Sequence, residues 1–131
     1  MDLLEQYVAD LKKDLEIDEF NIKEMSLKSP GKKHFWTSRL IQHKRNLIRL
    51  EKEKAELIKK ASKEIQYTAP VKLSAVAVEK SAEDTDLIKT INLKIADEKL
   101  IIEFLEKTEK TLSSLTYDIK NIIEIMKLEQ M

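Results

Sequence analysis

The chain has 131 residues, of which 42% are apolar, and its 24 basic and 24 acidic side chains cancel. That length leaves room for one domain, since domains contain roughly 100 to 200 residues. One glycine and no cysteine exclude Gly-rich phosphate loops, nucleophile elbows, disulfides and thiolate zinc sites.

The first 31 residues predict two short helices in an acidic segment of net charge −4. Apolar residues recur at helical spacing at Leu3, Leu4, Tyr7, Val8 and Leu11. This pattern predicts an amphipathic helix over about residues 2–15. Asp18 is a candidate N-cap for a second short helix. The sequence Ser29-Pro30-Gly31 predicts a break, because proline disfavours helix at the residue before it.

Residues 34–65 predict one long helix, since neither glycine nor proline interrupts a segment rich in Leu, Lys, Glu and Arg. Its apolar seam has alternate spacings of four and three residues, and consists of Trp36, Leu40, His43, Leu47, Leu50, Lys54, Leu57 and Ala61. Such heptad spacing is typical of a helix packed against other helices. A flanking row widens this face, at Ile41, Ile48, Ile58 and Ile65.

Residues 32–63 form a basic band of net charge +8 that contains all three arginines, and residues 64–131 have a net charge of −4. Arginine binds phosphate through two N–H groups of one plane, so a polyanionic partner is one hypothesis. The alternative is that acidic segments neutralise the band in an oligomer, or that the band is a solvated helix face.

After the break predicted at Thr68-Ala69-Pro70, residues 71–78 predict a short edge strand or an extended arm, because they alternate partly and include β-branched side chains. Ser81-Ala82-Glu83-Asp84 resembles a helix start. We therefore expect a single, mainly all-α domain over residues 1–131. It contains acidic N-terminal helices at 1–31, a basic long helix at 32–66, a connector at 67–81 and a second long helix at 82–131.

Two long helices with broad apolar faces predict self-association into a homo-oligomer, because isologous or ring-forming contacts bury those faces. No arrangement of catalytic or metal-binding side chains is found among the two histidines, the serines and the acids. The sequence therefore predicts a protein that is not an enzyme and holds no cofactor or metal. No apolar run approaches the roughly 18 residues that cross a bilayer, so we expect a cytoplasmic protein without a membrane segment.

Basic side chains of the long helix leave its apolar seam free, and their spread along the helix suits the backbone of a nucleic-acid strand better than a compact anion. Tyr67, beside the predicted break, is a candidate for stacking on an unpaired base, whereas Trp36 and Phe35 are favoured as core residues. The candidate DNA-binding residues are Arg39, Lys44, Arg45, Arg49, Lys52, Lys59, Lys60, Lys63 and Tyr67. The alternative function is a helical scaffold or assembly chaperone of prefoldin-like type, whose basic band binds acidic protein surfaces.

Short motifs follow one another in a distinctive order along nearly the whole chain. They are Leu11-Lys12-Lys13-Asp14, Ile17-Asp18, Asn21, Pro30, Trp36, Arg39, Lys44-Arg45, Ile48-Arg49-Leu50-Glu51, Leu93-Lys94-Ile95, Phe104-Leu105-Glu106 and Tyr117-Asp118-Ile119-Lys120-Asn121-Ile122-Ile123-Glu124. In this order and spacing the chain resembles the UvsY-type recombination mediators of tailed phages.

The resemblance implies a non-enzymatic ring of about six or seven subunits that acts in the cytoplasm of an infected host cell. It implies binding to single-stranded DNA, to a RecA-like phage recombinase and to the single-strand-binding protein that the recombinase displaces. The family's basic motif, a Leu-Lys-Ala-Arg-like stretch, falls on Ile58-Lys59-Lys60-Ala61. Lys59 takes the place of the motif lysine, and Lys60 or Lys63 then substitutes for the motif arginine, since that position is Ala61.

Overall fold

The computed structural model describes residues 1–131 and consists of four α-helices without a strand. They are α1 (Leu3–Asp14), α2 (Ile22–Thr68), α3 (Ala75–Glu83) and α4 (Asp86–Glu129). The expectation of a mainly helical chain with two long helices is confirmed. The chain forms two compact units, namely unit 1 (Met1–Ile41 and Ile101–Met131) and unit 2 (Gln42–Leu100). The single domain stays a prediction.

Helix α1 forms where the sequence predicts it. The Asp2 side chain is its N-cap and accepts a hydrogen bond of 2.8 Å from the backbone N–H of Glu5, which satisfies one of the unpaired donors of the first turn. Tyr7 and Leu11, four residues apart, are buried and therefore form the face that packs in unit 1.

Trp36 is the centre of the unit 1 core and has 0% relative exposure. Its indole Nε1 donates a hydrogen bond of 2.9 Å to Asp14 Oδ2. The rings of Tyr7 and Phe104 meet it edge to face, with centroids 6.0 and 6.5 Å away, which is a favourable arrangement for aromatic pairs. The interpretation of Trp36 as a core residue is therefore confirmed.

In unit 1 the two long helices run antiparallel. Lys33 Nζ donates to Thr116 Oγ1 over 3.0 Å, and Thr37 Oγ1 donates to Glu109 Oε1 over 2.8 Å, so residue numbers rise along α2 as they fall along α4. The buried residues of α4 in this unit are spaced by three and four along one face, at Ile101, Leu105, Thr108, Leu112, Leu115 and Ile119, with Ile102 beside them.

The predicted break at residues 29–31 is wrong, because α2 runs through Pro30 and Gly31 without a change of secondary structure. The predicted separate second helix is wrong as well, since its residues form the first turns of α2. Asp18 does act as a local cap, and its Oδ1 accepts from the backbone N–H groups of Phe20 and Asn21.

Tertiary contacts on both sides of Pro30 explain why the helix continues. A proline inside a helix costs about 3 kcal/mol through a lost hydrogen bond and a crowded carbonyl. Met25 and Ser29 before it are buried, as is Trp36 after it, and Lys32 forms an ion pair with Asp14 at 3.7 Å. These contacts fix the direction of α2 on either side of the proline and outweigh its cost.

In unit 2, α4 packs on the seam of α2 through the buried residues Ile88, Ile91 and Ile95. His43, the predicted polar residue of the seam, is buried with its Nδ1 2.8 Å from Glu98 Oε2. Beyond His43 the predicted seam residues are only half-buried, so this part of the seam is covered less completely than the part in unit 1.

Residues 71–74 lie outside any helix, so the predicted extended arm is limited to them. The predicted edge strand over residues 71–78 is wrong, because no strand forms and α3 begins at Ala75. The reason is a cap, since the Ser74 side chain accepts from the backbone N–H of Ala77 over 3.2 Å. Val78 and Ala82 are buried at a spacing of four, which is the periodicity of a helix. The helix start predicted at residues 81–84 is wrong too, because α3 ends within these residues and α4 begins at Asp86.

Candidate nucleic-acid interface

Basic side chains line one exposed side of α2 in unit 2, and we call this surface the basic stripe. It consists of Arg45, Arg49, Lys52, Lys59, Lys60, Lys63 and Tyr67, all of them exposed. From Arg45 to Lys63 the stripe extends over about 27 Å at 1.5 Å per residue. The structure therefore brings together seven of the nine predicted site residues on one side of one helix.

Helix periodicity places the stripe opposite the apolar seam. Arg45 and Arg49 each stand two residues from Leu47, and Lys59 stands two residues from Leu57. Two residues correspond to about 200° of rotation in an α-helix. Because the seam packs on α4, the stripe must face away from α4, and burial of the seam holds the positive charges in solvent.

The basic side chains of the stripe are almost free of protein partners. Arg49 donates a hydrogen bond to Asn46 Oδ1 over 3.2 Å, whereas the other five form no ion pair or hydrogen bond. An anion that binds here does not have to break existing salt bridges. The arrangement is therefore suited to phosphate groups that follow one another along a chain.

One acid interrupts the stripe. Glu56 lies four residues after Lys52 and three before Lys59, so it shares their side of the helix. It is exposed and has no partner. Glu56 was not predicted to belong to this surface, although the alternation of four and three residues along the stripe also places it there.

Tyr67 lies in the last turn of α2, four residues after Lys63, and is 94% exposed. The next residue, Thr68, closes this turn, because its hydroxyl donates to the backbone carbonyl of Glu64 over 2.9 Å. The phenol ring thus projects from an ordered helix end beside the last lysine of the stripe. This is a suitable position for stacking on a base.

Arg39 lies apart from the stripe, in unit 1. Its guanidinium carbon is 4.1 Å from the ring centroid of Phe35, 4.4 Å from that of Tyr7 and 4.7 Å from that of Trp36. It also forms an ion pair with Asp10 at 3.3 Å. Cation–π contacts of this kind hold the side chain against the core, so its surroundings favour a packing role.

Lys44 lies on the flank of α2 between the stripe and the seam, since it is only one residue from the buried His43. It is exposed but has an interaction of its own within the protein. Lys44 therefore adds positive charge beside the stripe without belonging to it.

No group of three or more His, Cys, Asp or Glu side chains is arranged to hold a metal ion. None of the helices combines the length and apolarity that a membrane span needs.

The chain matches a family model over nearly its whole length. That model describes recombination, repair and single-stranded-DNA-binding proteins named UvsY, and it matches residues 10–130. The chain belongs to the UvsY family. The resemblance inferred from the sequence motifs is therefore confirmed, and this UvsY family member is placed among recombination and repair proteins.

Solved structures have the same fold as this UvsY family member. They are crystal structures of the recombination mediator UvsY of bacteriophage T4 in lattice types IV, II and I, with TM-scores of 0.83, 0.81 and 0.79. Sequence identity is 17%, 16% and 15%, over 96%, 100% and 98% of this chain and 98%, 99% and 99% of the others. At such identity the likeness concerns the fold alone. A comparison with curated proteins found no match.

Proposed function

We propose that this protein is a recombination mediator that binds single-stranded DNA along the basic stripe and promotes loading of a RecA-like recombinase onto strands coated by single-strand-binding protein. The observation that supports it best is the row of unpartnered, exposed basic side chains on α2, in a member of a family described by single-stranded-DNA binding. The contact residues in this proposal are Arg45, Arg49, Lys52, Lys59, Lys60, Lys63 and Tyr67, with Lys44 at the flank.

Electrostatics supplies the affinity in this proposal. Each phosphate that a Lys or Arg neutralises releases condensed counterions, and the logarithm of the binding constant falls with the logarithm of the salt concentration by about 0.7 per contact for single strands. The six cations of one stripe account for a moderate affinity. Several copies joined in one assembly bind a single strand at many points, and this multivalency raises the overall affinity.

The proposed assembly is a ring-like homo-oligomer of about six or seven subunits. Large apolar side chains that remain exposed in the single chain support self-association. On α2, Ile41 is 56% and Ile48 is 60% exposed, and on α4, Leu93 is 69% and Leu100 is 52% exposed. Within each helix the two residues are seven positions apart, which is the spacing of contacts between packed helices.

No covalent bond is made or broken in the proposed mechanism. The ring holds the strand with its phosphates on the basic stripe and leaves most of its bases accessible. In this conformation the single-strand-binding protein loses contacts and the recombinase gains access to the bases, so the exchange of one protein for the other becomes favourable. This exchange of proteins on the strand takes place in the cytoplasm of the infected host cell.

A loading assay tests the proposal. The purified protein, a labelled oligonucleotide coated with single-strand-binding protein and a RecA-like recombinase are mixed, and recombinase on the strand is measured over time. We expect faster loading in the presence of the protein, and a mass by light scattering of a closed multi-subunit assembly. Absence of binding to the bare oligonucleotide in dilute buffer contradicts the proposal and favours the prefoldin-like scaffold.

A further inference from the structure

A cavity of about 160 Å³ opens beside the basic stripe in unit 2. Its floor is apolar and comes from α2 and the first turn of α4, with Leu57, Ala61, Leu87 and Ile88. Its polar rim consists of Lys60, Glu64 and Thr85. Residues far apart in the sequence thus form one concave site with an apolar floor and a few polar groups, which is the usual composition of a small-ligand site.

The size of the cavity corresponds to one aromatic ring. An apolar cavity of about 150 Å³ in a protein accommodates benzene, so this cavity is large enough for one six-membered ring. Most of the apolar surface that is still exposed at the cavity belongs to Leu87, which is 68% exposed, since Ile88 is already buried. An apolar ring face buried against Leu87 gains hydrophobic free energy.

The rim offers hydrogen-bond partners of both kinds. The Lys60 ammonium group donates, and the Glu64 carboxylate accepts. The Thr85 hydroxyl donates its proton to the backbone carbonyl of Ala82 over 2.8 Å, so its oxygen remains an acceptor. A pyrimidine base has ring carbonyl groups that accept and an N–H or amino group that donates, and it complements this rim.

Lys60 connects the cavity to the stripe, because its side chain belongs to both. When one phosphate of a strand lies on Lys60 and the adjacent phosphates lie on Lys59 and Lys63, one base of that strand lies next to the cavity mouth. We propose, on the basis of the proposed function, that this cavity binds one pyrimidine base of the unpaired strand. A base in a duplex is stacked and paired and does not reach the cavity, so the site favours single strands over duplexes.

Three oligonucleotides of equal length test this inference, namely oligothymidine, oligoadenosine and an abasic strand with the same number of phosphates. We expect the native protein to bind oligothymidine about tenfold more tightly than the abasic strand, which corresponds to about 1.4 kcal/mol. Oligoadenosine falls in between, because its double ring exceeds the cavity while its bases still stack on Tyr67.

The matched variants are Ala61→Leu, which fills the cavity, and Tyr67→Ala, which removes only the stacking surface. Ala61→Leu is expected to remove the preference for thymine over adenine and to leave abasic binding unchanged, whereas Tyr67→Ala keeps that preference. An unchanged preference in Ala61→Leu overturns the inference while the proposed function stands. A change of assembly mass in this variant also overturns it, because a second copy then fills the cavity.

If circular dichroism shows that the Ala61→Leu variant does not fold, the inference is tested by the affinities of the native protein for the three oligonucleotides. Equal affinity for oligothymidine and oligoadenosine then overturns the inference. Failure of the native protein to bind all three strands contradicts the proposed function instead, so the two failures are distinguishable.

Discussion

Replacement of Lys59, Lys60 and Lys63 together by Ala is expected to weaken binding of a single-stranded oligonucleotide by about 100-fold at low salt. These residues occupy two successive turns of α2 on its exposed side and have no partners in the protein. Their loss removes three phosphate contacts, so the slope of log affinity against log salt falls by about 2. A titration with labelled oligonucleotide at several salt concentrations measures both quantities.

Two matched variants separate position from net charge. Replacement of Lys89, Lys94 and Lys99, which are exposed on α4 of the same unit, removes the same charge away from the stripe and is expected to change affinity by less than about threefold. Glu56→Gln removes the only acid in the stripe and is expected to raise affinity. Equal losses for the α2 and α4 variants contradict binding along the stripe.

Replacement of Trp36 by Ala is expected to lower the free energy of unfolding by about 3 to 5 kcal/mol. The indole is fully buried between α1, α2 and α4 of unit 1, and its N–H bonds to Asp14. The change leaves a large cavity and removes one hydrogen bond from Asp14, which keeps its ion pair with Lys32. Urea denaturation followed by circular dichroism measures the change.

Phe35→Ala is the control for this variant, because Phe35 is the neighbouring aromatic residue but is 47% exposed. A loss of about 1 kcal/mol is expected. Equal destabilisation by the two variants contradicts the role of Trp36 as the centre of the unit 1 core.

Periodicity in the sequence was sufficient to predict the two long helices and the basic stripe, because both depend on spacing along one helix. Residues spaced by four and three form the seam, and residues two positions away from a seam residue face solvent.

The break at Pro30 was predicted wrongly because local propensity favours it, whereas contacts of Met25 and Trp36 with distant residues decide the outcome. Ser74 held the signal for α3, since a serine before a helix is a cap, but the β-branched residues around it favoured a strand.

The cavity beside Lys60 had no signal in the sequence. Its two sides are separated along the chain, at Ala61 on α2 and Thr85 before α4, and only the antiparallel packing of these helices brings them together. The sequence also contained no sign of the packing of Arg39, which was predicted to bind DNA because it lies in the basic band. Its position over Tyr7 depends on how α1 packs.

The most direct test of the account is to locate the DNA on the protein. A single-stranded oligonucleotide with photoreactive thymine analogues is bound, crosslinked by ultraviolet light, and the attached peptides are identified by mass spectrometry. Crosslinks are expected in α2 between Arg45 and Tyr67, and they should disappear in the variant that lacks Lys59, Lys60 and Lys63. Crosslinks confined to α1 or to the C-terminal half of α4 would contradict binding along the basic stripe.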